Sequence, residues 1–394
     1  MLIRKTHPEE YRRVNELFAI CFEMPYQNCP IDPENDTATH WAAYNDAGKM
    51  MSTFTISDYT IGFDGHNCLM GGIGGVATLP EYRRQGGIRA CFEAALPDMY
   101  ARGYDFSYLY PFSTAYYRQF GYECCVQKMK WVVNLGLLKV PKTAGTVYLA
   151  EKGNPMTDAI QSVDQVIEKR FNMMVQHQDS DYKWCAEVDP AVKQEFTYVW
   201  FDAENIPHAY TTFKLANEPD GRNLVCSRFF FTNQDGFWGL MGLFKSLAAD
   251  HLYLKFDTPV LPSLQYLMPE WSLGAASWNL QASAGMVRVV NVMNILKKAR
   301  YLGSGHVTLE IHDPQIRENN GRYAVTFSNG SAESVELTEA PADAVMDIPA
   351  FSALISGVCD WDDAKHTFRG LEVCRDDQFR QIFYRKPLMI CDYF

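Results

Sequence analysis

Leu69–Glu123 reads LMGGIGGVATLPEYRRQGGIRACFEAALPDMYARGYDFSYLYPFSTAYYRQFGYE, and the rest of the chain is arranged around it. An apolar, glycine-rich strand ends in Val76-Ala77-Thr78. A basic turn follows, Arg83-Arg84-Gln85-Gly86-Gly87. A helix then begins at Ile88, because Ile88, Cys91, Phe92, Ala95, Leu96 and Met99 fall on one helical face. Pro97 is awkward so deep in that helix, since it removes a hydrogen bond. Strand, glycine turn and helix N-terminus together form an anion site, with backbone N–H groups converging and arginine charge added. A strand–turn–helix with a solvated arginine pair gives the same pattern. The second half of the stretch adds a strand, Phe106–Tyr110, then Pro111-Phe112-Ser113 and a short aromatic segment, Ala115–Tyr122.

The turn resembles motif A of the GNAT acetyltransferases, R/Q-x-x-G-x-G/A, which holds the pyrophosphate of acetyl-CoA. Arg83 and Gly86 match the first two marked positions, and Ile88 stands where the family carries a small residue. The Tyr117–Tyr122 segment resembles the ending of motif B, Y-x-x-x-G-F/Y, whose tyrosine lies beside the CoA sulfur; Tyr117 is the matching residue. The resemblance therefore implies a cofactor-binding set of Val76, Ala77, Thr78, Arg83, Arg84, Gln85, Gly86, Gly87, Ile88 and Ser113. It implies Tyr117 as general acid. For a lone tyrosine, a packed core ring would be the alternative.

Length and composition bound the rest. With 394 residues the chain needs two or three cores. A hydrophobic content of 47% and a charged content of 21% are those of an ordinary globular protein. No apolar run is long enough for a membrane span, and the N-terminus MLIRKTHPEEYRR lacks a signal-peptide core; a cytoplasmic setting is the default. The net charge of −11 argues against a nucleic-acid surface and suits a cationic substrate, although solubility alone accounts for it too. Eleven cysteines are scattered without a C-x-x-C pair, and nine histidines form no metal motif, so no metal is expected.

In chain order, Leu2–Arg4 reads as a strand and His7–Phe22 as a helix. Pro25, Pro30 and Pro33 then break the chain into a loop near the acceptor side. Strands at Lys49–Ile61 and His66–Leu79 precede the opening stretch, and Lys128–Leu138 reads as a closing strand. After a boundary at Lys139–Gly145, a helix at Asp158–Met174 leads to strands Glu195–Asp202, Ala209–Leu215 and Leu224–Thr232. A helix at Gly236–His251 and a strand at Leu252–Phe256 complete a second GNAT-like order. Its turn, Asn233-Gln234-Asp235-Gly236, is acidic and would repel a pyrophosphate. Met286–Asn291 leads into a helix at Val292–Arg300. Alternating strands then centre on Val307–Ile311, Tyr323–Phe327 and Val335–Leu337. Ile348–Val358 and Asp376–Tyr384 read as helices, and the apolar end KPLMICDYF is expected to dock.

Over its full length the chain resembles the Eis-type acetyltransferases. Val76–Ile88, Tyr117–Tyr122, Met286–Asn291 and a terminal phenylalanine carry the likeness. It implies an α/β (α+β) fold class: an active GNAT domain (1–138), a degenerate GNAT-like domain (146–285) and a sterol-carrier-protein-like domain (286–394). It further implies acetyl-CoA as cosubstrate and acetylation of a primary amine on a small cationic molecule (aminoglycoside-like, polyamine or lysine). A homohexamer is implied as well, with the C-terminal carboxylate of Phe394 as base. Asp392-Tyr393 departs from the glutamate found beside the last phenylalanine in some members. A second class of function stays open: a non-catalytic protein that binds a hydrophobic ligand or acyl-CoA through the last domain.

Overall fold

The computed structural model describes residues 1–32, 34, 36–267 and 277–393. Pro33 and Phe394, both named above, lie outside the described residues. The chain forms two compact units: one of Met1–Val126, Ala284–Lys386 and the residues from Ile390, the other of Gln127–Ser283 and Pro387–Met389.

In chain order the elements begin β1 Leu2–Lys5, α1 Tyr11–Cys21, β2 Thr39–Tyr44, β3 Met50–Phe63, β4 His66–Thr78, α2 Gly87–Ala101, β5 Phe106–Leu109, α3 Thr114–Arg118 and β6 Glu123–Asn134. They continue with β7 Gly145–Leu149, α4 Thr157–Arg170, the single turns α5 Lys183–Ala186 and α6 Pro190–Lys193, β8 Glu195–Asp202, β9 Pro207–Glu218, β10 Gly221–Phe231, α7 Gln234–Ser246 and β11 Tyr253–Pro259. The last third holds β12 Trp278–Val289, α8 Val292–Lys298, β13 Gly305–His312, β14 Gly321–Ser328, β15 Ser331–Leu337, β16 Ala344–Asp347, α9 Ile348–Ser356, α10 Trp361–Thr367 and β17 Leu371–Val373.

In the first unit the main sheet runs β1-β2-β3-β4-β5-β12. Strands β1 to β4 are antiparallel neighbours, and β5 lies parallel to β4 because α2 connects them as a crossover. The buried faces follow the sequence periods. Val14, Leu17 and Phe18 of α1 pack with Ala42 and Ala77, while Ile88, Phe92, Ala95 and Met99 of α2 pack with Phe54 and Ile56 of β3. Pro97 is accommodated inside α2. Beyond β5 the sheet is completed by Met286–Val289 of β12, antiparallel to Leu109–Phe106. The sequence reading gave that place to Lys128–Leu138. Instead β6 begins at Glu123, and its Lys128–Asn134 pair with β11 in the second unit.

A separate five-stranded sheet, β15-β14-β13-β16-β17, completes the first unit. The helix expected at Asp376–Tyr384 is a single 3-10 turn at Phe379–Gln381, and the helix of this region is α10 instead. Phe379, Ile382 and Phe383 have helical spacing because all three are buried. Phe379 and Phe383 stack on Trp361 of α10, at 4.3 and 5.8 Å between ring centroids.

The second unit repeats the order of the first. Its sheet runs β6-β11-β10-β9-β8-β7; β9 and β10 form an antiparallel hairpin, α7 crosses over, and β11 returns parallel to β10.

Candidate functional site

The parallel pairing of β4 with β5 covers only Met70–Ile73 against Phe106–Leu109. Past Ile73 strand β4 runs on to Thr78 without β5, so the two strands part and leave β4 backbone facing a cleft. A bulge in β4, where Gly75 and Val76 stand against the single residue Phe54 of β3, and a left-handed Gly75 (φ +59°) mark the parting. A side chain on Gly75 would collide with the Phe18 ring. Val76 and Thr78 are half-buried on this stretch, and the Thr78 hydroxyl donates to Ser52 Oγ at 3.0 Å. Ala77 is buried against α1.

At the open end lies the basic turn. Arg83, Arg84, Gln85 and Gly86 are exposed. Arg84 (φ +63°) and Gly86 (φ +83°) both take left-handed backbone, which folds successive N–H groups into one concavity. Helix α2 starts immediately after, and no side chain caps its N-terminus. The first-turn N–H groups are therefore left for an anion. Gln85 turns back, its amide donating to Glu81 O at 3.0 Å. Gly87 packs on Ser52 and Ile88 enters the core, so these two contribute backbone to the concavity while their side-chain positions face inward.

Ser113 caps α3, its hydroxyl accepting the Tyr116 N–H at 3.4 Å. That cap sets the one-turn helix carrying Tyr117. Tyr117 is 2% exposed and ringed by Phe92, Phe112, Tyr116 and Tyr122, with centroids 5.3 to 6.4 Å away. Its hydroxyl makes no hydrogen bond among the described residues. Burial pushes its phenol well above the ordinary value of 10. The turn after it is fixed from β12: buried Arg288 donates to Phe120 O at 2.6 Å and to both oxygens of Asp313 at 2.7 and 2.6 Å.

The C-terminal segment reaches the same unit. Tyr110, the residue after β5, donates its hydroxyl to Asp392 O at 2.5 Å, and its ring stacks on Tyr393 at 4.7 Å. One feature escaped the sequence reading beyond its placing a loop there. A cavity of about 630 Å³ lies under that loop, lined among others by Phe18, Phe22, Asp36, Thr55, Gly74 and Gly75. It borders β4 where β4 leaves β5. Nothing in the local spacing of Asp36 or Thr55 signals this, since the wall is assembled from α1, the loop, β3 and β4.

Residues 2–125 match the family described as the acetyltransferase (GNAT) domain, and residues 292–387 match the sterol carrier protein domain. The chain carries a GNAT acetyltransferase domain within an Eis-type fold. Three solved structures show the fold over the whole chain. A probable N-acyltransferase from Enterococcus faecalis superposes with a TM-score of 0.85 at 21% identity, covering 100% of this chain and 99% of that one. A GCN5-related N-acetyltransferase from Anabaena variabilis gives 0.84 at 19%, covering 100% of each. Eis1 from Mycobacterium abscessus gives 0.82 at 15%, covering 100% of each. No curated protein matches the chain.

The second, GNAT-like unit shows what the first keeps. There too the parallel pairing is short, Asn223–Val225 against Tyr253–Lys255. The space beyond is occupied by aromatic rings: Phe229 lies 4.4 Å from Phe256 and 6.1 Å from Phe237. At the start of α7 the Asn233 side chain accepts the Gly236 N–H at 2.8 Å, filling the position an anion would take. A Cβ on Gly236 would sit 2.8 Å from His208 O, so this glycine serves close packing.

Proposed function

We propose that the chain transfers the acetyl group of acetyl-CoA to a primary amine of a cationic small molecule. The observation that carries this reading is the uncapped start of α2, with its left-handed Arg84 and Gly86, at the open end of the parted β4 and β5. Backbone N–H groups from Arg83 to Ile88 suit the CoA pyrophosphate, with the two arginines adding charge. The backbone of Val76–Thr78 suits the thioester carbonyl and pantetheine.

The chemistry then asks for three events. The neutral amine nitrogen bonds to the thioester carbon, and the C–S bond breaks. The nitrogen's surplus proton passes to a base, for which the Phe394 α-carboxylate is proposed. Tyr117 protonates the leaving thiolate. An α-carboxylate with a pKa of about 3.5 is a poor match for an alkylammonium near about 10. Burial that raises the carboxylate's pKa narrows that gap, as does an acceptor amine of lowered basicity such as an aminosugar or a crowded polyamine. Support for the terminus comes from the docking of Asp392 and Tyr393 on Tyr110.

Thiol release from acetyl-CoA, measured against a panel of aminoglycosides, polyamines, lysine and singly charged arylalkylamines, tests the reading; no release above hydrolysis with any amine refutes it. The sterol carrier match favours a second reading, binding of a hydrophobic ligand or acyl-CoA without turnover, and the same assay separates the two. The family resemblance also carries a homohexamer in the cytoplasm, which light scattering addresses for the assembly. Among the described residues no helix is long and apolar enough to cross a membrane.

A further inference from the structure

The cavity beside Gly74 and Gly75 has a chemical character of its own. Asp36 lines it with a side chain only 13% exposed. One carboxylate oxygen accepts the Ala38 N–H at 2.8 Å and the other faces His40 Nε2 at 3.0 Å. His40 Nδ1 in turn meets Thr55 Oγ1 at 2.8 Å. The imidazole is fully buried, and burial lowers its pKa from the ordinary 6.5, so it is neutral at pH 7. Tyr11, whose ring packs edge-on against His40 at 4.8 Å, brings no positive charge. Among the described residues no lysine or arginine pairs with Asp36. The carboxylate is thus held in place by neutral donors on the cavity wall, with no cationic side chain among the described residues to balance it.

The placement is set by register. His40 stands opposite Thr55 across β2 and β3, and Thr55 stands opposite Gly74 across β3 and β4. This row ends on β4 one residue past its last pairing with β5. Phe18, Phe22, Met24, Pro30 and Ile31 form the apolar part of the remaining wall, to which Thr37, Ser57 and Tyr59 add hydroxyls. Phe22 is 46% exposed there, a large ring presented to open space. Of the described lining residues only Asp32 and Asp36 are carboxylates, and Asp32 accepts its own loop's Glu34 N–H at 3.0 Å.

We infer that this cavity selects an amine with one positive charge and an apolar body, an arylalkylamine in chemical class, whose ammonium is held by Asp36 and whose body lies on the Phe22 side. This deepens the proposed acetyl transfer and rests on it for the claim that the bound amine is the acceptor. Each further ammonium of a polycation would enter an apolar space without a free carboxylate, and a buried unpaired charge is expensive. One anchor and an apolar wall therefore discriminate against aminoglycosides and polyamines, though both fit the net negative charge of the chain.

Calorimetry with 2-phenylethylamine in the presence of CoA reads the cavity whether or not turnover occurs. The wild-type protein is expected to bind 2-phenylethylamine more tightly than spermidine or kanamycin. Asp36→Asn should weaken that binding by about 10- to 100-fold, the range for a lost hydrogen bond to a charged group, with acetyl-CoA affinity unchanged. Phe22→Ala, at a half-exposed site that should tolerate it, should weaken 2-phenylethylamine several-fold and leave methylamine unaffected. Tighter binding of spermidine or kanamycin, or full affinity in Asp36→Asn of unchanged melting temperature, overturns the inference. If 2-phenylethylamine binds as described but releases no CoA thiol from acetyl-CoA, the claim that the bound amine is the acceptor is overturned while the binding assignment stands; release with no amine of the whole panel refutes acetyl transfer itself.

Discussion

Deleting one oxygen from Tyr117 separates its proton from its packing. The ring is held by four aromatic neighbours, and the hydroxyl bonds to nothing among the described residues, so Tyr117→Phe should leave the melting temperature nearly unchanged. If Tyr117 is the general acid, kcat should fall by about 10²–10⁴-fold while acetyl-CoA still binds. A wild-type rate would make the residue packing alone. The raised phenol pKa fixes the sign of its pH dependence. The folded state favours the protonated ring, so its stabilising share is complete below the unfolded value of about 10 and is lost as pH rises beyond it. Tyr117 therefore stays a proton donor through neutral and mildly alkaline pH, and a fall in kcat between pH 7 and 9 would have to come from another group. Tyr117 was legible from its motif spacing. Its burial, and the Arg288 hold on Phe120 O, were not, because Arg288 lies 168 residues away.

At the scale of the element, α2 and α7 are the instructive pair. Both follow a β-hairpin and lead to a parallel strand, yet α2 begins uncapped and α7 begins with Asn233 bonded to the Gly236 N–H. One acetyl-CoA per chain is expected by calorimetry, and Gly86→Val should abolish that binding. A β-branched residue is strained at φ +83°, and its side chain would stand between the backbone and a pyrophosphate. Two sites per chain, or undiminished affinity in Gly86→Val, would show the anion site to lie elsewhere. Helices with a continuous apolar face, such as α1, α2 and α7, were readable from the 3.6 period to within about a turn and a half at their ends. The helix expected at Asp376–Tyr384 was not there, because Phe379 and Phe383 owe their spacing to stacking on Trp361 rather than to a helix of their own.

At the scale of the whole molecule the question is why the far end of a 394-residue chain should matter to its first domain. Lys386 and Asp64 form a buried ion pair at 2.5 Å, and Asp392 and Tyr393 meet Tyr110, so the end is docked within the first unit. If the base is the terminal carboxylate, its position matters more than the last side chain. One residue added after Phe394 moves the carboxylate by up to about 3.5 Å, and an error near about 1 Å at a reacting group can cost on the order of a hundredfold. Turnover of the extended chain should collapse with fold and acetyl-CoA affinity intact, whereas Phe394→Leu should be milder. Full activity in a C-terminally tagged enzyme would assign the proton to water or to an acidic side chain.

By itself the sequence determined what depends on neighbours along the chain: the glycine-rich strand, the basic turn, the helix that follows, the motif tyrosine and the repeat of this order in the second unit. Those features rest on periodicity, turn chemistry and short spacings, which act over a few residues. What joins distant residues was decided by the tertiary structure alone. Met286–Val289 supplies the strand beside β5, where local pattern pointed to Lys128–Leu138 as the closing strand, because pairing is chosen by long-range register and not by local pattern. Aromatic rings close the second unit's opening, and the Asp36 carboxylate lines a cavity beside the first unit's parted strands. Burial and the neutral hydrogen-bond partners of Asp36 give those residues their chemistry, and both exist only once the chain has folded.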